Sequence, residues 1–128
     1  MKLGYTLLYV QDVPATVAFY ESAFQLKRKF IHESNGYAEM DTGGTTLGFV
    51  SLELAGSHGF EFQAVRGENP PPGFELGLVA TDVPLAFEQA IKAGAQSVSA
   101  PTKKPWGQVV SYVRDCNGFL VEICSAVG

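Results

Sequence analysis

Residues 74–94, FELGLVATDVPLAFEQAIKAG, carry a strand, a cap, a helix and a stop in one short run. Phe74–Ala80 has the apolar content of a strand. Asp82 stands where a helix N-cap belongs, and Pro84 suits the first turn. Val83, Phe87, Ala90 and Ile91 then return at helical spacing, and Gly94 is a C-terminal stop. The same Asp-Val-Pro occurs at Asp12-Val13-Pro14, 82 − 12 = 70 residues earlier. There too a strand precedes it, Leu3–Val10, and a helical face follows it, Val13, Val17, Tyr20 and Phe24. A repeated supersecondary unit decides the fold before local propensity does.

Working outward from the first copy, Lys27–Ser34 and Gly36–Asp41 read as strands around an Asn35-Gly36 hairpin signal. Thr42-Gly43-Gly44 is a turn, and Thr45–Leu54 the next strand. Behind the second copy, Ser97–Ala100 is a short strand and Pro101–Pro105 a loop. A hairpin closes the chain: Val109, Val110, Tyr112 and Val113, a turn at Asp115-Cys116-Asn117-Gly118, then Phe119–Cys124. Residues 3–54 and 74–124 therefore both read β-α-β-β-β. The expected class is α+β, with a first module over 1–54, a linker over 55–73 and a second module over 74–128, in one compact domain. Gly, Ser, Asn and Pro mark the linker, which ends in Pro70-Pro71-Pro72-Gly73; Phe60 and Phe62 suggest a short strand inside it.

The 128 residues are 46% hydrophobic with a formal net charge of −4. That excludes a disordered chain and argues against a nucleic-acid partner, which needs a basic face. No apolar run has the roughly 18 residues of a membrane span, so no membrane partner is expected. The first residues lack a signal-peptide layout. Cys116 and Cys124 fit no disulfide scaffold, and a tight turn at 115–118 would leave them too far apart to bridge. A reducing cytoplasm is the expected location.

Glu122 interrupts the apolar run of the last strand. A carboxylate there is costly unless something pairs with it or water reaches it. If Asp115–Gly118 is a tight turn, Arg114 pairs with Phe119. Ser111 then lies across from Glu122 and adds a hydroxyl beside it. Trp106, the one tryptophan, lies in a Pro- and Gly-flanked loop with Lys103 and Lys104, where it reads as a stacking platform.

The chain resembles the glyoxalase / bleomycin-resistance / extradiol-dioxygenase superfamily, the vicinal oxygen chelate fold. The resemblance is carried by Val10-Gln11-Asp12-Val13 through Phe19-Tyr20 and Phe24-Gln25-Leu26. At the back it is carried by Trp106-Gly107 and by Asp115-Cys116-Asn117-Gly118 through Val121-Glu122-Ile123. It implies two βαβββ modules forming a curved mixed sheet around a concave, ligand-holding cavity, with helices on the convex side, and a homodimer. With Tyr5 and Glu122 facing the cavity, Glu75, Gly77 and Val79 face it too. Thr6, Leu8, Val10, Phe119, Val121 and Ile123 then face helices, and each outward set is almost purely apolar.

Metal-using relatives place a ligand on each of four concave strands. The resemblance puts those positions at Tyr5, Gly48, Glu75 and Glu122, so only the two glutamates are divalent-metal ligand types, and no imidazole is supplied. His32 and His58 align with none of them. Glu75 and Glu122 at about 5 Å would repel by on the order of 3 kcal/mol at an effective dielectric near 20. One must then be protonated, or a cation must lie between them, or they stand farther apart. Two readings follow. In the first, the protein binds a small aromatic or cationic compound with no cofactor and no catalytic residue, using Tyr5, Tyr9, Trp106, Ser111, Glu75 and Glu122. In the second, it is a metal-dependent lyase, isomerase or dioxygenase of the glyoxalase type, with Glu75 and Glu122 as ligands and Glu122 as the base.

Overall fold

Asp12 and Asp82 start the two long helices in the same way. Each has extended backbone, and its carboxylate accepts the N–H three residues on, from Ala15 at 3.0 Å and from Leu85 at 3.1 Å. Each cap contributes about 1 kcal/mol. The computed structural model describes residues 1–128 as two compact units, Met1–Val65 and Arg66–Gly128. The first holds β1 (Tyr5–Val10), α1 (Val13–Phe24), β2 (Lys27–Ile31), β3 (Tyr37–Asp41), β4 (Thr46–Ser51) and α2 (Leu52–Gly56). The second holds β5 (Leu76–Val79), α3 (Val83–Lys92), β6 (Gln96–Lys103), β7 (Val109–Arg114) and β8 (Leu120–Cys124).

Each unit has one four-stranded sheet, in the orders β1-β4-β3-β2 and β5-β8-β7-β6. In both, the first strand pairs in parallel with the last, and the other pairs are antiparallel. This is the βαβββ repeat the two Asp-Val-Pro motifs announce. One face of each sheet carries the helix. In the first unit, Leu8, Val10, Ala38, Met40, Leu47 and Phe49 are buried with Val13, Val17 and Tyr20 of α1. In the second, Val113, Phe119, Val121 and Ile123 are buried with Val83 and Ala90 of α3. The apolar alternation in the sequence marks these helix-covered faces.

The strands expected at Lys27–Ser34 and Phe74–Ala80 are shorter, Lys27–Ile31 and Leu76–Val79, which leaves Glu75 ahead of its strand, and the expected reading needs further correction at four places. The strand read as Thr45–Leu54 ends at Ser51, whose Oγ accepts the Leu54 N–H at 3.1 Å and caps α2. A serine followed by apolar residues reads as strand and cap alike. The short strand at Ser97–Ala100 runs from Gln96 to Lys103, through Pro101, with two register shifts; an edge strand tolerates proline. No strand forms at Phe60 or Phe62; instead the Phe62 ring meets Tyr9 edge-on at 4.9 Å.

The fourth is the register of the closing hairpin. Arg114 pairs with Leu120, not Phe119. Asp115 N–H donates to the Phe119 carbonyl at 2.9 Å, so the loop proper is Cys116-Asn117-Gly118. Asp115 Oδ1 accepts the N–H groups of Asn117, Gly118 and Phe119 at 2.8, 2.9 and 2.9 Å. Gly118 takes φ +102°, as a three-residue hairpin loop requires. A Cβ there would also lie 2.9 Å from the backbone of Arg66 and Gly67. The buried Arg114 guanidinium holds that segment down. It donates to the carbonyls of Gly118 (2.8 Å), Gly67 (3.0 Å) and Arg66 (3.0 Å).

Gly118→Ala should therefore lower stability by about 1–3 kcal/mol, from left-handed strain and the backbone clash together. Gly77→Ala, where a Cβ meets nothing within 4 Å, should change it by about 0.5 kcal/mol or less. Urea unfolding of the two variants checks this contrast; equal midpoints would contradict it.

Candidate functional site

Across from Glu122 stand Gly77 on β5 and Tyr112 on β7. These three residues share the sheet face away from α3, because directly opposed residues point the same way. Tyr112 Oη donates to Glu122 Oε1 at 2.9 Å. Ser111 is one residue away and so on the other face. It pairs with Ile123, is fully buried, and donates its hydroxyl to the Ile123 carbonyl at 2.8 Å. The expected Ser111–Glu122 neighbourhood is thus corrected to Tyr112–Glu122, by the one-residue change in the turn.

Glu75 lies just ahead of β5 and is exposed, yet its carboxyl feels that of Glu122. Partial removal from water, then the Glu122 carboxyl and its charge, push the Glu75 carboxyl above the usual range. For Glu122, removal from water also works upward. It is outweighed by hydrogen bonds from the Cys124 thiol, the Tyr112 hydroxyl and the Glu75 carboxyl, with the Lys104 ammonium adding attraction, and the net shift is downward. The two shifts run in opposite directions, so the pair takes up its first proton on Glu75 while Glu122 keeps the charge. The donors respond in kind. Burial, then Glu122, raises the Tyr112 hydroxyl to about 12 and the Cys124 thiol to about 11.

Trp106 is 64% exposed. Its indole Nε1–H donates to Gln108 Oε1 at 2.9 Å, and Gln108 Nε2–H donates to the Ser125 carbonyl at 2.9 Å. Burial and the nearby Glu122 charge act upward on the Cys124 thiol, and Gln108 acts downward on it. Trp106 is thus tied through Gln108, which the sequence reading passed over, to Ser125, the residue that follows the strand of Glu122. Tyr112, Gln108, Cys124 and Lys104 were missed because their roles depend on register and loop path. Only the strand alternation of Tyr112 with Glu122 could have exposed one of them, once the turn was read correctly.

The matching positions of the first unit are built differently. Gly48 is flanked by Leu7 on β1 and Glu39 on β3. A Cβ on Gly48 would lie 2.7 Å from Leu7 Cδ2 and 3.2 Å from Tyr37 Oη, so the place of a fourth ligand is filled. Tyr37 Oη donates to Glu39 Oε2 at 2.7 Å, and burial followed by that bond raises its phenol. Tyr5 is 59% exposed on β1, whereas Tyr9 is half-buried against Phe62. In neither unit do three His, Cys, Asp or Glu side chains gather in a way that could hold a metal ion. No helix is long and apolar enough to cross a membrane.

Two βαβββ units of this topology define a class, and comparison with known proteins places the chain within it. The sequence profile of the Glyoxalase/Bleomycin resistance protein/Dioxygenase superfamily matches residues 2–123, and the chain belongs to that superfamily. It is similar to the uncharacterised protein YraH of Bacillus subtilis (strain 168), with 29% identity over 125 residues, 96% of this chain and 97% of that one. Among solved structures it resembles a glyoxalase-related enzyme from Fulvimarina pelagi (TM-score 0.82, 22% identity, covering 98% of this chain and 88% of that one). It also resembles a glyoxalase/bleomycin resistance protein/dioxygenase family enzyme from Burkholderia phytofirmans PsJN (TM-score 0.80, 21% identity, 98% of each). At these identities the structural likeness shows the fold alone.

The carboxyl pair makes stability pH-dependent in a defined direction. Glu75 binds its proton more tightly when folded. Its contribution is complete below the unfolded value near 4.5 and is lost as pH rises through the raised folded value. Glu75→Gln keeps a donor to Glu122 without that loss. Its stability relative to the wild type should therefore grow as pH rises through this window and then level off. Urea unfolding at a series of pH values measures it; a difference independent of pH would contradict the proton held on Glu75.

Proposed function

We propose that this protein binds a small planar aromatic cation on the open face of its second sheet, without a metal and without catalysis. The observation that carries the reading is the Glu122 carboxylate, which accepts from Tyr112 Oη at 2.9 Å, on a strand whose next residue, Ser125, is tied through Gln108 to the exposed Trp106 ring. A carboxylate and an indole face together suit a flat cation, by charge and by cation–π attraction. Gly77, directly beside Glu122, presents no side chain and leaves open space there. The donor set speaks against the metal-dependent alternative. Glu75 and Glu122 are the two carboxylates of this face, with no imidazole beside them, and the space at Gly48 is occupied by Leu7 and Tyr37. A transition metal of this ligand type wants imidazoles or several free carboxylates.

Ethidium and benzamidine are suitable probes. Titration of either should change Trp106 emission, and Glu122→Gln should weaken binding roughly tenfold, the effect of losing one charge-assisted contact. Near-stoichiometric zinc, nickel, iron or manganese in the purified protein, or binding untouched by both Trp106→Ala and Glu122→Gln, would reject the reading.

The proposal includes a homodimer. Its support is the apolar surface the first unit leaves exposed at Leu3, Tyr5 and Leu7, the kind of surface that a second copy covers. Sedimentation at micromolar concentration should give about twice the chain mass, 13.7 kDa; a single species at the chain mass would argue against it.

A further inference from the structure

We propose that Gln108 is a positioning residue which turns Trp106 from a mobile surface side chain into a fixed stacking platform, and that the site therefore selects its ligand by ring stacking rather than by hydrogen bonding to the indole. This rests on the binding reading above and deepens it.

The geometry carries the argument. An indole that is 64% exposed ordinarily samples several rotamers, since little packing restrains it. Here the one polar atom of the ring is tied at 2.9 Å to Gln108 Oε1. The other end of the same amide is tied at 2.9 Å to the Ser125 carbonyl, one residue past the end of β8. Ser125 is itself fixed to β7: its N–H donates to the Val109 carbonyl at 2.9 Å, and its Oγ accepts the Val109 N–H at 2.9 Å. The ring is thus referred, through one amide, to the two strands that carry Tyr112 and Glu122. The loop itself is closed, with Lys104 N–H donating to the Gln108 carbonyl at 2.7 Å and Gly107 N–H to the Lys104 carbonyl at 2.8 Å. Gly107 takes φ +95°, which suits glycine.

Two consequences follow. Ordering of the ring is complete before a ligand arrives, which removes an entropic cost from binding. The indole N–H, a donor with no acceptor capacity, is already used inside the protein. Only the π face remains, so a ligand offering an acceptor to Trp106 gains nothing, whereas a flat or cationic ring does.

The test is Gln108→Met, which keeps length and apolar volume but removes both amide contacts. Trp106 is the sole tryptophan, so time-resolved emission anisotropy reports on this ring alone. The variant should show a faster and larger early depolarisation, with an unchanged far-UV circular dichroism spectrum. Ethidium binding, read from the dye's own fluorescence, should weaken roughly three- to tenfold, the range expected for one neutral hydrogen bond. In a Trp106→Phe background the ring has no N–H to hold, so Gln108→Met should weaken binding no further. Additive losses would mean that Gln108 acts on the hairpin rather than through Trp106, and would overturn the inference. Unchanged depolarisation in Gln108→Met overturns it as well, and needs no ligand to be decisive. If Glu122→Gln weakens ethidium while Trp106 moves alike with and without Gln108, the binding reading stands and the positioning role falls.

Discussion

The carboxylate of Asp115 gathers three consecutive backbone N–H groups at the tip of the last hairpin, and the face Glu122 shares depends on it. Buried backbone donors left without partners would each cost about 1–3 kcal/mol, so the turn has little freedom to adopt another form. That form pairs Asp115 with Phe119, and the pairing runs down the hairpin to put Tyr112 opposite Glu122. A four-residue loop would have put a serine there and turned the tyrosine toward α3. The hydroxyl that helps hold Glu122 ionised is therefore selected by the turn that lies between Tyr112 and Glu122. Arg114 and Gly118 extend the same constraint to residues 66 and 67, where the second unit begins.

The two sheets have one topology and opposite uses of it. At the matching places, Leu7, Gly48 and Glu39 stand in the first sheet, and Gly77, Glu122 and Tyr112 in the second. In each trio glycine sits beside a larger side chain on the neighbouring parallel strand. In the first, Leu7 fills the space over Gly48, and the acid of that face bonds a tyrosine on its own strand. In the second, the glycine is on the outer strand and nothing fills the space above it. Duplication supplies the same backbone twice; exchanging glycine for a large residue across one strand pair closes one face and leaves the other open.

Much of this was legible in the sequence. The repeated Asp-Val-Pro gave both helix starts, because capping is local chemistry. The alternation of Leu8 and Val10, or of Val121 and Ile123, gave the covered faces, because burial at period two is imposed by the strand itself. Glu122 stood out as a charge in an apolar run. Its partners did not, since which residue faces it hinges on a single residue in a turn, and Asp-Cys-Asn-Gly is compatible with loops of three or four. Cys124 read only as a free thiol, and Gln108 drew no reading at all. Their parts come from hydrogen bonds across strands and around the Trp106 loop, which carry no periodic signal.

The electrostatics of Glu122 narrow what the open face is able to accept. An ionised carboxylate offers about four acceptor positions. The Tyr112 hydroxyl occupies one at 2.9 Å, and the Cys124 thiol and Glu75 carboxyl also act to keep the charge on Glu122. Tyr112 and Cys124 are fixed by strand register, and with values near 12 and 11 both keep their protons at any physiological pH. Glu75 is different in kind: it is exposed, it precedes the strand, and its proton is the one that leaves first as pH rises. A cationic donor arriving over Gly77 finds two fixed donors and one replaceable one. On the proposed reading it takes the place of the Glu75 proton, leaving Glu75 ionised as a second counter-charge. The pair that repels in the absence of a proton or a cation is then held together by the ligand, so binding strengthens as pH rises through the Glu75 range. A neutral aromatic gains the stacking on Trp106 but leaves the proton where it is, and charge selectivity at this site follows from that difference.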